Sequence, residues 1–194
     1  MKIKDMEAIH TFTNKTKNEI LEVFYDENPD NPRIIRDHLG KIYAEHRRYS
    51  LADKDANEEE LSQAQKNGVC LNVYMLEHSV IVLSVRSFND PWDSGQVGYI
   101  YATKEHIKKE YGVKRISKQL KAKVEKILSA EIERFSHYLN GEVYGFVHSK
   151  LEKCDHDHTH KEEIESCWGF FGLDPEEILK QQIPKTEIKD WEDD

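Results

Sequence analysis

Cysteine is scarce in this chain: three residues, Cys70, Cys154 and Cys167, occur among 194. An odd number cannot be paired completely within one chain, and Cys70 lies in an apolar, strand-like segment. Small secreted proteins that depend on disulfides carry cysteines in even sets, so that class is not expected here. The sequence predicts reduced thiols.

Long apolar runs are absent as well. Hydrophobic residues make up 38% of the sequence, and no stretch approaches the roughly 18 consecutive apolar residues that a membrane-spanning helix needs. The first five residues, M-K-I-K-D, lack the apolar centre of a secretion signal. We therefore expect a cytoplasmic protein without a membrane partner.

Short motifs that mark several catalytic folds are missing. The sequence contains no G-x-G-x-x-G, no P-loop, no G-x-S-x-G and no H-E-x-x-H. These absences argue against a Rossmann dinucleotide site, a P-loop NTPase, a serine hydrolase with a nucleophile elbow and a zincin. The chain also has no internal repeat, and whether it catalyses a reaction stays open.

Charge is plentiful but unevenly placed. The formal net charge is −9, and 34% of the residues are charged. Residues 104–126 contain nine Lys or Arg and three Glu, so this segment carries +6 and the rest of the chain −15. Acidic residues concentrate in 22–60 and 174–194. Three interpretations stay open. The basic segment binds a phosphate backbone, the acidic faces bind a basic protein groove, or the charged segments are solvated helix faces and a frayed acidic tail without a partner.

Hydrophobic periodicity predicts both helices and strands. The strongest signal is a helix over 118–139, where apolar residues recur at steps of three and four. Glu131 falls inside this apolar stripe, so it is either paired there or placed at its solvated end. A helix over 104–111 begins after Thr103 as N-cap and stops at Gly112. Further helices are predicted over 58–66 and 175–182, strands over 20–25, 69–76, 79–85, 97–101, 142–148 and 164–171, and a weak edge strand within 1–16, with 34–45 undecided.

These elements predict an α+β fold, with a mostly antiparallel sheet and a helix pair, including the long amphipathic helix, packed on one face. One domain is expected over residues 1–183. Residues 184–194 are expected to form an acidic, frayed tail. The stretch 149–163 is expected to be a polar loop between the last two strands.

That loop contains residue types that bind metals: Cys154, His156, His158 and His160. Zinc prefers sulfur and imidazole ligands, but its sites draw paired ligands from two elements, and alternate residues of one extended loop point in opposite directions. Cys167 or another group would have to complete the shell. Two alternatives stay open: a site for zinc or another divalent metal, and a solvated loop that captures metal adventitiously.

Residues 90–101 form the only stretch in which bulky, turn-forming and polar residues crowd between two strand signals. A connection that carries an indole and a carboxylate between core strands is typical of a surface that presents functional groups. Trp92, Ser94 and Gln96 are therefore candidate binding residues, and Asp93 is a candidate catalytic residue.

The alternative for this stretch is a structural corner, in which Trp92 plugs one end of the core and Gly95 and Gly98 supply tight backbone. An indole flanked by strand ends is expected to be buried. Trp92→Ala is then expected to cost roughly 3 to 5 kcal/mol. Asp93→Ala is expected to change stability by less than about 1 kcal/mol.

A further set of residue types suggests phosphate chemistry: carboxylates to hold a metal, histidine to move protons and arginine to neutralise charge. No spacing in the sequence fixes their mutual geometry, and the alternative for each arginine is an ion pair with an acid. The candidate catalytic residues are Asp93, His46, Arg48 and His78, and the further candidate binding residues are Arg47, Asp26 and Glu27.

Four sequence blocks stand in a fixed order: D-E-N-P-D-N-P-R at 26–33, H-R-R-Y-S-L at 46–51, P-W-D-S-G-Q-V-G at 91–98 and S-C-W-G-F-F-G at 166–172. In these blocks the chain, from about residue 22 to 172, resembles a family of small proteins encoded by bacteriophages, plasmids and other mobile elements. Two departures are Ala52, where the family pattern has Gly, and Val80, which replaces Gly after His78 and Ser79.

The resemblance implies an accessory protein of a phage or mobile element, acting in a bacterial host cell, and it brings no catalytic residue. By analogy we expect an anti-defence inhibitor, such as an anti-CRISPR, that binds a host defence or nucleic-acid-processing complex by acidic mimicry of nucleic acid. Two alternatives stay open: a metal-dependent phosphodiesterase or nuclease acting on nucleic acid or a signalling nucleotide, and a nucleic-acid-binding protein. The latter would use Arg115, Lys118, Lys121 and Lys126 within 104–126.

Overall fold

The structure is a computed structural model that describes residues 6–34, 38–153 and 159–193. The chain divides into two compact units: unit 1 comprises residues 1–30 and 141–194, and unit 2 comprises residues 31–140. The described residues form four α-helices and two antiparallel sheets, which confirms the predicted α+β class. The expectation of one domain over 1–183 stays a prediction.

Unit 1 contains a five-stranded antiparallel sheet in the order β8-β7-β2-β1-β9. Its core lies on one face of the sheet, where Phe12, Leu21 and Phe146 pack with Ile178 and Trp191. Numbered in chain order, its elements are β1 (His10–Asn14), β2 (Glu19–Tyr25), β7 (Val143–Lys153), β8 (Thr159–Phe171), α4 (Pro175–Gln182), a short 3₁₀ helix (Ile188–Asp190) and β9 (Glu192–Asp193).

Two expectations for unit 1 differ from the structure. The predicted polar loop 149–163 is largely strand, because β7 and β8 extend into it and pair from Val143↔Phe171 to Lys153↔Thr159. The predicted frayed tail lies against the sheet instead: Trp191 is buried, and Glu192–Asp193 pair with β1. Burial of the indole supplies the apolar contact that holds this segment.

Unit 2 contains a four-stranded antiparallel sheet in the order β3-β6-β4-β5. The long helix α3 buries Val124, Leu128 and Ile132 in a common core with Val73 and Ile100 of the sheet, as its periodicity predicts. Its elements are β3 (Lys41–Ala44), α1 (Glu58–Asn67), β4 (Val69–His78), β5 (Val80–Ser84), β6 (Ser94–Ala102), α2 (Lys104–Tyr111) and α3 (Lys118–Leu139).

The helix boundaries of unit 2 follow local capping chemistry. The side chains of Asn57, Thr103 and Ser117 accept hydrogen bonds from backbone N–H groups in the first turns of α1, α2 and α3. Gly112 ends α2 with φ +62°, a left-handed conformation that glycine adopts without steric cost. These caps agree with the residue types that the sequence places at each helix end.

A buried ion cluster, here called the Arg33 network, joins the start of unit 2 to α3. The Arg33 side chain is 6% exposed and pairs with Asp53 at 2.5 Å and with Glu131 at 3.1 Å. Glu131 also accepts the backbone N–H of Leu39 at 2.6 Å, and Asp53 accepts that of Ile42 at 2.7 Å. Burial lowers the pKa of Arg33, but the bonds to both carboxylates outweigh it and raise the pKa. Glu131 is therefore paired within the apolar stripe of α3.

Removal of the central cation should destabilise the fold strongly. Arg33→Ala leaves the carboxylates of Asp53 and Glu131 buried without their counter-ion, so we expect a loss of about 3–5 kcal/mol in unfolding free energy. Urea unfolding followed by far-UV circular dichroism measures it. The matched control is Arg86→Ala at an exposed position, where a change within about 0.5 kcal/mol is expected. Equal midpoints for the two variants would contradict the role given to Arg33.

Candidate functional site

The turn that precedes β6 is held by the side chain of Asp90. Its Oδ1 accepts the backbone N–H of Trp92 at 2.9 Å and that of Asp93 at 3.0 Å. The hydroxyl of Ser94 donates to the Asp90 carbonyl. The hydrogen bonds from Asp93 and Trp92 to the carboxylate lower the pKa of Asp90. The turn is therefore ordered by local hydrogen bonds.

Trp92 is 92% exposed, so the expectation that its indole is buried is wrong, and the cost expected for Trp92→Ala loses its premise. The reason is that Asp90, and not packing of the ring, holds the turn. Of the two glycines expected to supply tight backbone, only Gly98 lies in a close approach: a Cβ there would be 2.2 Å from the Tyr43 carbonyl oxygen. A Cβ at Gly95 would meet nothing within 4 Å.

Glu77, at the end of β4, links this turn to the basic segment after β3. Its carboxylate accepts from the Arg48 guanidinium at 2.6 Å and from the Tyr49 hydroxyl at 3.0 Å. Its backbone N–H donates to the Asp93 carbonyl at 2.9 Å. The hydrogen bond to Glu77 raises the pKa of Tyr49. We call Glu77, Arg48, Tyr49 and Asp93 the Glu77 cluster.

The segment before Tyr49 places further groups beside the Glu77 cluster. The ring of His46 stacks on that of Tyr49, with centroids 5.2 Å apart, and the Arg48 guanidinium lies 5.9 Å from the Tyr49 ring centroid. Arg47 is exposed. Residues 44–52 line an open cavity of about 460 Å³.

His78 contacts Asp93, a member of the Glu77 cluster. Nδ1 of His78 lies 3.0 Å from Oδ2 of Asp93, and the imidazole is 75% exposed. A carboxylate on one ring nitrogen fixes the orientation of a histidine and leaves the other nitrogen available for proton transfer. The structure thus brings the four candidate catalytic residues into one region of unit 2: His46, Arg48, His78 and Asp93.

The other candidate binding residues have local roles. Gln96 is exposed and its side-chain amide donates to the Gly98 carbonyl at 3.3 Å. Asp26 and Glu27 belong to unit 1, where the Asp26 carboxylate accepts the backbone N–H of Asn28 at 3.1 Å. Sequence reasoning does not single out Glu77 or Asp90, and the only signal for Glu77 is its place beside His78 at the hairpin end.

The candidate metal site falls mostly outside the described residues: Cys154, His156 and His158 are not described, whereas His160 lies exposed on β8. Cys167 is also exposed on β8, and its thiol and that of Cys70 are free. Across residues 6–34, 38–153 and 159–193, no group of three or more His, Cys, Asp or Glu side chains is placed to hold a metal ion.

The basic segment 104–126 covers α2, the connection to α3 and the first turns of α3, and most of its cations are exposed. Lys123 lies 5.0 Å from the ring centroid of Tyr111. The candidate phosphate contacts are exposed: Arg115, Lys118, Lys121 and Lys126.

The acidic charge of the chain lies mainly in unit 1. Unit 1 has 10 Lys or Arg and 22 Asp or Glu, a net charge of −12, whereas unit 2 has 18 and 15, a net charge of +3. Glu162, Glu163 and Glu165, here called the acidic edge, are exposed on β8. The sequence does not reveal Glu162 and Glu163 as a strand surface, because the polar composition of 149–163 predicts a loop, whereas Glu165 falls within the predicted strand 164–171.

No family model, no curated protein and no solved structure matches this chain. No described helix is both long enough and apolar enough to cross a membrane. Inference about function therefore depends on the geometry of the described residues and on the patterns of the sequence.

Truncation of Trp92 should hardly affect stability. Because the indole is exposed, Trp92→Ala is expected to change the unfolding free energy by less than about 0.5 kcal/mol. Asp90→Ala should destabilise more, since it removes the acceptor of two backbone N–H groups. Urea unfolding of both variants measures the difference. A loss of about 3 kcal/mol for Trp92→Ala, the value typical of a buried ring, would contradict the exposed position.

Proposed function

We propose that this protein acts by binding a macromolecular partner and that Trp92 is the anchor of the binding surface. The observation that supports the proposal is an indole left 92% exposed on a turn that Asp90 holds in place. An exposed indole gives the free protein little stability. Its large apolar area becomes useful when a partner covers it.

The surroundings of Trp92 have the composition of a binding surface. Trp, Tyr and Arg are the residue types that dominate binding energy in interfaces, and Tyr49 and the exposed Arg48 belong to the adjacent Glu77 cluster. Val80, which pairs with His78 across the hairpin, is an exposed apolar residue nearby. Because Asp90 holds the turn, less ordering entropy is lost on binding.

Charge suggests the kind of partner. A net charge of −12 in unit 1 attracts a basic surface and speeds association with it. Basic grooves are typical of complexes that bind nucleic acid. With the resemblance to mobile-element proteins, this favours an accessory protein that inhibits a host defence or nucleic-acid-processing complex, as an anti-CRISPR does, by acidic mimicry.

The test is binding to such a complex by the purified full chain and its variants. If Trp92 is the anchor, Trp92→Ala should raise the Kd at least about 30-fold, which corresponds to a loss of about 2 kcal/mol in binding free energy. The matched control is Tyr25→Ala, which truncates another exposed aromatic residue. If charge contributes, the Kd should also rise with salt. Equal Kd values for the two variants would contradict the role of Trp92.

A second candidate function is hydrolysis of a phosphodiester. The observation that favours it is the contact of His78 with Asp93 in the same region as Arg48, an arrangement with a proton-transfer group and a cation. Labelled DNA, RNA and cyclic nucleotides with Mg²⁺ or Mn²⁺ provide the assay. If His78 transfers the proton, His78→Ala and Asp93→Ala should lower the rate about 100-fold or more. His106→Ala on α2 is the control, and an equal rate in all three variants would reject the assignment.

A further inference from the structure

We infer that β8 is a docking edge for an extended segment of a partner protein rich in Lys or Arg, which adds to the sheet of unit 1 as a further strand. The inference rests on the proposed function for the existence of a basic partner, but it concerns a surface that does not include Trp92. It names how that partner is held: by backbone pairing along β8 as well as by charge.

The backbone of β8 has one free side. The strand is the last in the sheet order and pairs with β7 along its whole length, and no strand of the described residues pairs with its other side. Residues 159–165 are all exposed. At about 3.3 Å per residue, these seven residues present roughly 23 Å of strand edge. An edge of this kind offers a row of unpaired N–H and C=O groups.

The acidic edge gives this strand its charge. None of Glu162, Glu163 and Glu165 forms an ion pair with a Lys or Arg of the described residues. Lys161 is held at 2.7 Å by Glu22, on β2. Lys150, which lies opposite Glu162 on β7, contacts Glu152 at 3.6 Å instead. Glu163 accepts a hydrogen bond from the neutral hydroxyl of Ser166 at 2.7 Å, so its charge, like that of Glu162 and Glu165, is left for an incoming cation.

The spacing of the carboxylates suits a segment in extended conformation. Side chains alternate between the two sides of a strand, so Glu162 and Glu163 lie on opposite faces of β8. A partner strand with cations on both faces can therefore meet carboxylates on both. Ile164, which is 52% exposed, sits between Glu163 and Glu165 as the extra residue where the register passes from His148↔Glu165 to Ser149↔Glu163. It offers an apolar contact within the charged surface.

The same features oppose pairing between two copies of the chain. Two acidic edges repel each other. A segment with cationic side chains meets attraction where a second β8 meets repulsion. The edge therefore selects its partner by charge.

The experiment compares two synthetic decapeptides with the repeat Lys-Lys-Val-Val, which places Lys on both faces of an extended strand, one with normal backbone and one N-methylated at successive residues. Both carry the same charge, but the second cannot form a regular strand ladder. If β8 is the docking edge, the normal peptide should bind the full chain at least tenfold more tightly in fluorescence anisotropy. It should also slow hydrogen exchange of the β8 amides.

Variants assign the contact to β8. Replacing Glu162, Glu163 and Glu165 by Gln should weaken binding of the normal peptide at least tenfold, whereas Glu58→Gln with Glu59→Gln, at exposed acids of α1, should leave it unchanged. Equal affinity of the two peptides, or no binding of either, would overturn the docking edge. Trp92→Ala should not affect the peptide. Peptide binding without Trp92-dependent binding of a host complex would therefore count against the proposed function alone, and the reverse result against the docking edge alone.

Discussion

In unit 2, one buried guanidinium ties together segments that are far apart in the sequence. Arg33 lies between Asp53 and Glu131, and those carboxylates also accept the backbone N–H groups of Leu39, Gly40 and Ile42. Burying three charges is costly, and well-packed apolar residues could match the stability. Apolar residues could not accept these backbone hydrogen bonds. Through them the carboxylates place the backbone that enters β3 against α3. We take this placement as the reason for an ion network inside an otherwise apolar core.

The sheet links β3 to the candidate site. β3 pairs with β6 from Lys41↔Tyr101 to Ala44↔Gly98, and the close approach of the two strands at Gly98 leaves no room for a Cβ. The Trp92 turn precedes β6, and the segment from His46 to Tyr49 follows β3. The scaffold is ordered by burial, whereas the turn is ordered by hydrogen bonds to Asp90. Because these two causes are separate, the side chain of Trp92 can serve binding without a role in folding.

The sequence predicts those parts of the structure that have a local or periodic cause. The apolar repeat identifies α3, and the cap identifies its start at Ser117. Both can be predicted because each signal depends on residues that are close together in the sequence. The partner of Glu131 could not be predicted, since Arg33 is 98 residues away. The outer part of β8 escapes prediction because residues 159–165 are exposed on both faces of the strand and give no alternation. In the outer part of β7, Ser149 and Leu151 alternate with the exposed Lys150 and Glu152, but Leu151 is the one apolar residue of the four, so hydropathy does not show the period. The exposure of Trp92 could not be predicted from the sequence, because an indole has the same hydropathy in a core and on a binding surface. Only the turn geometry distinguishes the two.

The central claim is that Trp92 is a solvent-exposed anchor in the free protein and becomes covered by its partner. The chain has three tryptophans, so replacing Trp168 and Trp191 by Phe leaves Trp92 as the only indole. Acrylamide quenching of its fluorescence measures access of solvent to the ring, with and without a saturating nucleic-acid-processing complex that the chain binds. The account predicts quenching close to that of free N-acetyltryptophanamide in the unbound protein and strong protection in the complex. A ring that is already protected in the free protein, or equally accessible when bound, would contradict it.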